Sequence, residues 1–467
     1  MQFSDFGRRR VLAAFDGGEI TSDAGGLLLR ETACQLNLWS RMARYVDDHR
    51  DPARVAHGLS DLLAQRIIGI ALGYEDVEDH NDLRNDPCLK LTATTNTQQG
   101  HPPRRLAGAS TLGRLEQDFI EGDRRYHKFA ARTSQLQDLY VELFVESYDA
   151  PPDHITLDID ATDIKTHGHQ DGGFFNGYYE HRCFLPLYIY CGPHLLLSRL
   201  RAGNTDGARG AKKAIKRIVG RIRAHWPKVK ILIRGDSGFA RKNLMNWCEA
   251  NRVDYIFGLP RNTWLLHKAR KIRSRAAVAM VESNAAVEIF GHFSHQPKSG
   301  SWPRPRQVIC KTLHRPGQDQ RVRFLVTSLN WNTPLVIREV KAFPNDRDAM
   351  ARAIYQNIYC PRGDMENRIK DCQLDLFGHQ TSAHGFKPNQ LRLIFAGFAY
   401  VLMTQLRLRA LKGTDLARAA PNTIRQKLLR IGARITPSIR RIKISMPTAC
   451  PYQNIFLTAW QALRAPT

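Results

Sequence analysis

The chain has 467 residues, more than one compact domain ordinarily holds and enough to bury two or more cores. Hydrophobic residues make up 43% and aromatic residues 9%, which excludes disorder throughout. Lys and Arg number 69 against 44 Asp and Glu, a formal charge of +25. Self-repulsion makes such an excess a structural burden. A polyanionic partner accounts for it, because counterions are released when cations neutralise phosphates, so nucleic acid ranks first among partners.

Nine cysteines are scattered with no C-x-x-C pair, which suggests neither a zinc ribbon nor a disulfide framework. Reduced thiols in a cytoplasmic, nucleoid-associated protein are the expectation. The start, MQFSDFGRRRVLAAFDGG, has basic residues but only a short apolar run broken by Asp16, too weak for a signal peptide. No stretch reaches the about 18 apolar residues of a membrane span, so no membrane is expected.

Residues 1–150 are expected to be mostly helical, as a DNA-binding domain. Apolar residues recur at helical spacing in Leu27–Leu38, Val55–Leu72, Thr111–Phe119 and Ser134–Tyr148. Asn85-Asp86-Pro87 and Gly100-His101-Pro102-Pro103 carry turn chemistry, and Lys90–Pro103, without an acid, is expected to be exposed. After Pro151-Pro152 the pattern changes. Ile155–Asp160 alternates as a strand, and Phe184–Tyr190 and Leu195–Arg201 read as a hairpin through Cys191-Gly192-Pro193-His194. A basic helix over Asp206–His225, a strand Lys230–Arg234, a helix Phe239–Asn251 and a strand Asp254–Leu259 follow.

Residues 260–333 interrupt that rhythm with alternating runs at Val287–Phe293, Arg306–Thr312 and Val322–Thr327, expected as a β-rich insertion. Ala349–Cys372 returns to helix within a second part of the core, residues 334–379. From residue 380 to 467 there are 14 Lys and Arg and one acid, Asp415. With the apolar run Leu391–Leu408, this predicts a packed helical region with a basic surface.

Three strands, a helix and a fourth strand describe a ribonuclease H-like mixed α/β sheet, with the core beginning over residues 151–259. In that topology the first and fourth strands are neighbours, so Asp158 or Asp160 would lie beside Asp236. A third acid from the late helix would complete a cluster. Converging carboxylates repel unless cations sit between them. Mg2+ takes hard oxygen ligands and keeps positions for water and phosphate. Asp236 sits in Arg234-Gly235-Asp236-Ser237-Gly238-Phe239, where small neighbours allow a phosphate backbone to approach. An Asp at such a strand end can equally be a cap, and Glu366 can equally be a solvated helical acid paired with Lys370.

On these residues the sequence resembles the DDE transposases of bacterial insertion sequences, in the branch with a Tyr-Arg-Glu-Lys signature. Tyr359, Arg362 and Glu366 fit its first three positions; the fourth falls on Gln373, and the nearest lysine is Lys370. The resemblance covers about residues 153–375, and the family's insertion interrupts the core where residues 260–333 lie. It implies that Asp160, Asp236 and Glu366 hold two Mg2+ ions, with Mn2+ able to substitute, and that Tyr359, Arg362 and Lys370 contact DNA. Asp160 is preferred as first acid because Asp160-Ala161-Thr162 suits the family; strand geometry alone also allows Asp158. The implied partners are double-stranded DNA (terminal inverted repeats and target) and a second copy of the chain in a synaptic homodimer. The implied activity is DNA cleavage and strand transfer. The alternatives are a related metal-dependent nuclease and an inactive DNA-binding descendant.

The densest basic run, Lys268–Arg275 (KARKIRSR), offers Lys268, Arg270, Lys271 and Arg273 to phosphates, and Lys212–Arg223 holds six more cations. His167-Gly168-His169 has no third ligand at zinc spacing. Trp264, Trp302 and Trp331 lie in or beside the insertion, where family members hold a flipped base with Trp. Nothing in the sequence separates the three.

Overall fold

A computed structural model describes residues 1–95, 103–297, 301–340 and 346–464. It divides into two compact units, Met1–Leu139 with Lys370–Thr467, and Tyr140–Ile369. The amino- and carboxy-terminal regions therefore build one body, although the sequence suggests two separate flanks.

The second unit is organised by one eight-stranded sheet. Its strands in chain order are β1 (His154–Ala161), β2 (Leu187–Cys191), β3 (His194–Arg199), β4 (Lys230–Gly235), β5 (Asp254–Leu259), β6 (Val287–His295), β7 (Arg306–His314) and β8 (Arg321–Thr327). The spatial order is β3-β2-β1-β4-β5-β8-β7-β6. β1, β4 and β5 run parallel, and every other pairing is antiparallel. The β2–β3 turn is the expected one, with Gly192 in the left-handed region at φ +54°.

Two sequence expectations change here. Phe184–Tyr190 is two strands, because Leu185-Pro186 separates His181–Phe184 from β2, and proline has no N–H for the ladder. The residues 260–333 begin with helices Thr263–Lys268 and Arg270–Ser283, and their three strands extend the main sheet through β8 against β5. The run is β-rich but continuous with the sheet.

Side-chain parity decides what each face of the sheet meets. Ile155, Leu157 and Ile159 of β1 point to one face. There they pack with Ile231 and Ile233 of β4 and with Ile215, Ile218 and Ile222 of helix Ala211–His225. That helix begins five residues later than its apolar spacing suggests, behind Gly210 at φ +79°. Asp158 and Asp160 point to the other face. On that face Leu232 and Ile256 pack with Ile354, Tyr355 and Ile358.

The first unit is less helical than its periodicity suggests. Gly26–Gln35, Leu59–Leu72 and Ala109–Glu116 are helices, and Thr133–Val145 is a helix that begins in this unit and ends in the second. Between them run short strands: Val46–Asp48, Lys128–Ala131 and Phe119–Ile120 in one sheet, and Glu19–Thr21 with Ala433–Pro437 and Ile442–Ser445 in another. Strands of two to five residues are too short to show a period of their own. Asp86 caps helix Pro87–Ala93, accepting from Leu89 N at 2.6 Å. The remainder of the expected exposed loop, residues 96–102, lies outside the described residues. Helix Phe386–Ala410 is long and apolar enough, by length and composition, to cross a membrane, against the expectation of no such stretch. Of its apolar window, 83% is buried inside the protein, as a core helix requires.

Candidate active site

The parallel register places Arg234 of β4 opposite Asp158 and Gly235 opposite Ile159, so Asp236 leaves β4 level with the end of β1 that carries Asp160. The two aspartates of β1 then part ways. Asp158 is 1% exposed and accepts a two-pronged contact from Arg234, Nε at 2.7 Å and Nη2 at 2.8 Å. Arg234 also donates to Ile358 O at 2.6 Å, tying β1 and β4 to the late helical segment. Burial raises the Asp158 carboxyl and Arg234 pulls it back.

Asp160 is held differently. Its Oδ1 accepts from its neighbour Ala161 N at 2.9 Å, and Oδ2 lies 3.0 Å from Arg362 Nη2. Burial pushes this carboxyl up to about 6, Arg362 opposes the rise, and the negative charges of Asp236 and Glu366 add to it. Three acids far apart in sequence therefore act electrostatically on one place. Burial alone would lower the Arg362 guanidinium, but Asp160, Tyr359, Asp236 and Asp158 together raise it. Tyr359 is raised by burial and Asp236 and lowered by Arg362.

Asp236 fills the cap role as well. Its Oδ1 accepts from Gly238 N at 2.9 Å and closes the turn Ser237–Phe239. A Cβ on Gly258 would stand 2.9 Å from Ser237 N, so β5 runs close beneath that turn and fixes it. Glu366 is exposed, on helix Asp364–Lys370. The long helix expected over Ala349–Cys372 is broken into α over Arg347–Ala353, π over Ile354–Tyr359, 3-10 over Cys360–Gly363, then α again. Pro361 lies in the 3-10 piece and cannot donate to an α-helical ladder.

Among the described residues no three Asp, Glu, His or Cys side chains approach closely enough to hold a metal ion together. Asp160 and Asp236 offer hard oxygens and mutual repulsion, which suits a hard divalent cation. Glu366, exposed on its helix, adds its negative charge to the field at Asp160. His167 and His169 are exposed loop residues and join no such group.

Lys370 is exposed at the end of its helix, whereas Gln373, at the signature's lysine position, is buried. Lys268, Arg270 and Lys271 are exposed. Arg273 is tied down by Gln320, at 3.2 Å to its Oε1 and 2.9 Å back to the Arg273 carbonyl. Trp302 is buried under Arg306, whose guanidinium lies 5.1 Å from the ring. Trp331 is half-buried against His292. Trp264 is exposed, stacked on His267 at 6.1 Å.

Sequence reasoning missed a basic cleft in the first unit. A cavity of about 820 Å³ is lined by Arg50, Arg54, Arg114, Arg125 and Lys128 against Asp51 and Asp123. Arg50 is set in place by Asp48, at 2.7 Å, and by the Phe129 ring, 4.7 Å from its guanidinium. Arg114 donates to two neutral oxygens, Ser110 O at 3.0 Å and Thr111 Oγ1 at 3.1 Å. Burial and the charges of Arg125 and Arg50 lower it. These cations are spread from residue 50 to 128, so no run in the sequence announces them.

The family of transposase DDE domains, group 1, matches residues 3–466. The chain belongs to that family, and so to the DDE transposases. No curated protein matches it. Among solved structures it is similar to the cryo-EM structure of a piggyBac transposase synaptic complex with hairpin DNA. Identity is 11%, over 96% of this chain and 83% of that one, at a TM-score of 0.41, a loose likeness.

Proposed function

We propose that the chain is a DNA transposase of the bacterial insertion-sequence kind, in the branch with the Tyr-Arg-Glu-Lys signature, with Gln373 at the lysine position. It binds terminal inverted repeats, cuts the DNA at their ends and joins the 3′ ends to a target. The order β3-β2-β1-β4-β5, with β2 antiparallel to its neighbours, supports a ribonuclease H-like core. The observation that carries the proposal is geometric: the parallel register of β1 and β4 sets Asp236 level with Asp160, and Arg362 of the signature lies 3.0 Å from the Asp160 carboxylate.

Asp160 and Asp236 are assigned as the sheet-borne carboxylates, and Glu366, on its exposed helix, as the third. Hard oxygens of this kind suit Mg2+, with Mn2+ as substitute. When bound, two such ions stabilise the attacking and leaving oxygens of an in-line phosphoryl displacement. Arg362 is already drawn to the acids and presents a guanidinium to a phosphate beside the scissile bond, with Tyr359 next to it. Lys370, Lys268, Arg270, Lys271 and the basic cleft supply phosphate contacts, and Arg273 braces its own helix. The synapse pairs two copies of the chain, acting on cytoplasmic, nucleoid DNA.

The test incubates the full chain with Mg2+, a duplex carrying the DNA that flanks its gene, and a target plasmid. Cut ends joined to the plasmid are expected, and both products vanish in Asp160→Asn and Asp236→Asn. Hydrolysis without joining would replace the proposal with a nuclease. No cleavage with either Mg2+ or Mn2+ would overturn it.

A further inference from the structure

Residues 1–13 form a feature that no step above uses. Strands Gln2–Phe6 and Arg9–Leu12 pair antiparallel, Gln2 with Leu12, Phe3 with Val11 and Phe6 with Arg9. Gly7, at φ +63°, lets the chain reverse in two residues. Two bonds of 2.9 Å close the open end, Met1 N to Ala13 O and Ala13 N to Met1 O. All nine strand residues are exposed.

Cross-strand partners share a face and successive pairs alternate. Phe3 and Val11 therefore lie on one face. A bulge between Phe3 and Phe6 returns Phe6, with Arg9, to that same face. Phe3 is 57% exposed and Phe6 81%. A lone two-stranded hairpin with an open apolar face is marginal in water and calls for a covering surface. The charge says which: Arg8, Arg9 and Arg10 crowd the tip against a single acid, Asp5. Two copies would bring like charges together on chains of +25 each, whereas a polyanion complements the tip.

We propose that this hairpin is a two-stranded ribbon that lies in a groove of duplex DNA. Arg8, Arg9 and Arg10 sit on backbone phosphates, and Phe3 and Phe6 rest against sugars and base edges. A groove of B-DNA admits such a ribbon, and apolar side chains beside arginines are a recurrent means of gripping one. The hairpin is joined to the folded unit by the five residues 14–18, which lead into strand Glu19–Thr21. That tether spans at most about 20 Å, so the ribbon reaches DNA held by the same unit. The inference rests on the proposed function, which makes duplex DNA the partner.

The experiment measures binding of the full chain to a fluorescent 30-base-pair duplex from the gene's flank, in EDTA, across a salt series. Arg8→Ala/Arg9→Ala/Arg10→Ala should flatten the slope of log affinity against log salt by about 2.7, at about 0.9 for each phosphate no longer neutralised. The corresponding triple Lys variant should keep the slope. Phe3→Ser/Phe6→Ser should weaken binding about tenfold with the slope intact. An unchanged slope in the triple Ala variant overturns the proposal while leaving the function standing. So does a DNA-free dimer that Phe3→Ser/Phe6→Ser converts to monomer, since a second copy would then cover the face. Wild-type protein that binds no duplex overturns the function and the ribbon with it.

Discussion

Asn substitutions at Asp158 and Asp160, two residues apart on one strand face, should have opposite consequences. Asp158→Asn leaves the Arg234 guanidinium, 12% exposed beside a partner 2% exposed, facing a neutral amide. Removing one member of a buried pair costs about 3–5 kcal/mol. Asp160 has a carboxyl moved from 3.8 to about 6, so its ionised form costs the folded state about 3 kcal/mol at neutral pH. Asp160→Asn removes that cost, and part of the gain is offset because Arg362, 3.0 Å away, loses its partner. The variant should therefore fall between wild-type stability and about 3 kcal/mol above it. The pH dependence follows: an acid raised in the folded state costs stability when ionised. In the wild type this cost is relieved as pH falls from about 6 toward 3.8, and Asp160→Asn lacks that gain. Urea unfolding followed by tryptophan fluorescence, in EDTA at pH 7.5 and 5, measures all three proteins. Cleavage should be lost in Asp160→Asn and retained, below its lowered melting point, in Asp158→Asn. Equal destabilisation by Asp160→Asn and Asp158→Asn, or unfolding of Asp158→Asn at the wild-type midpoint, would refute these roles of the two carboxylates.

Arg362→Ala should lower kcat for cleavage by about 100-fold or more, the usual effect of removing a charge that meets a developing anion, and Arg362→Lys should recover part of it; single-turnover kinetics on a cut-site duplex reads both. Trp302→Ala, emptying a buried site under Arg306, should cost about 3–5 kcal/mol by urea unfolding, whereas Trp264→Ala, at a side chain 37% exposed, should cost less. His80 is fully buried, and burial and Arg66 lower its pKa to about 3. It favours the neutral ring, so stability is full above 6.5 and is lost as pH falls toward 3, by about 2 kcal/mol at pH 5. Comparing thermal unfolding of wild type and His80→Gln at pH 7.5 and 5 isolates that loss.

The sheet-borne half of the site is legible in sequence because strands announce themselves locally. The alternation of Ile155–Asp160 puts both aspartates on the face opposite Ile155, Leu157 and Ile159, as found. Choosing between them needs Arg234, whose pairing with Asp158 depends on a parallel register 76 residues apart in sequence. The helix-borne half is less legible. Apolar spacing over Ala349–Cys372 suits one helix, and Pro361 with Gly363 marks where it breaks. The cleft around Arg50 and Arg114 comes from three segments brought together by a strand of three residues and its neighbours, below the length at which periodicity speaks.

That break also changes the face on which Glu366 falls. In an unbroken α-helix the seven steps from Tyr359 to Glu366 turn about 700°, bringing the two within about 20° of one face. Four of those steps here are 3-10, at about 120° each, and three are α, so the turn is about 780°. Glu366 is thereby carried about 80° away from its continuous-helix position, while Arg362, before the α segment resumes, still meets Asp160 at 3.0 Å. Asp160 and Asp236 are fixed by the ladder of β1 and β4 and by a capped turn pressed on β5. Glu366 hangs on a helix of seven residues between a 3-10 and a π segment. Asp160 is thus held on the sheet and paired to Arg362, whereas the direction of Glu366 is set by the winding of a short helical run.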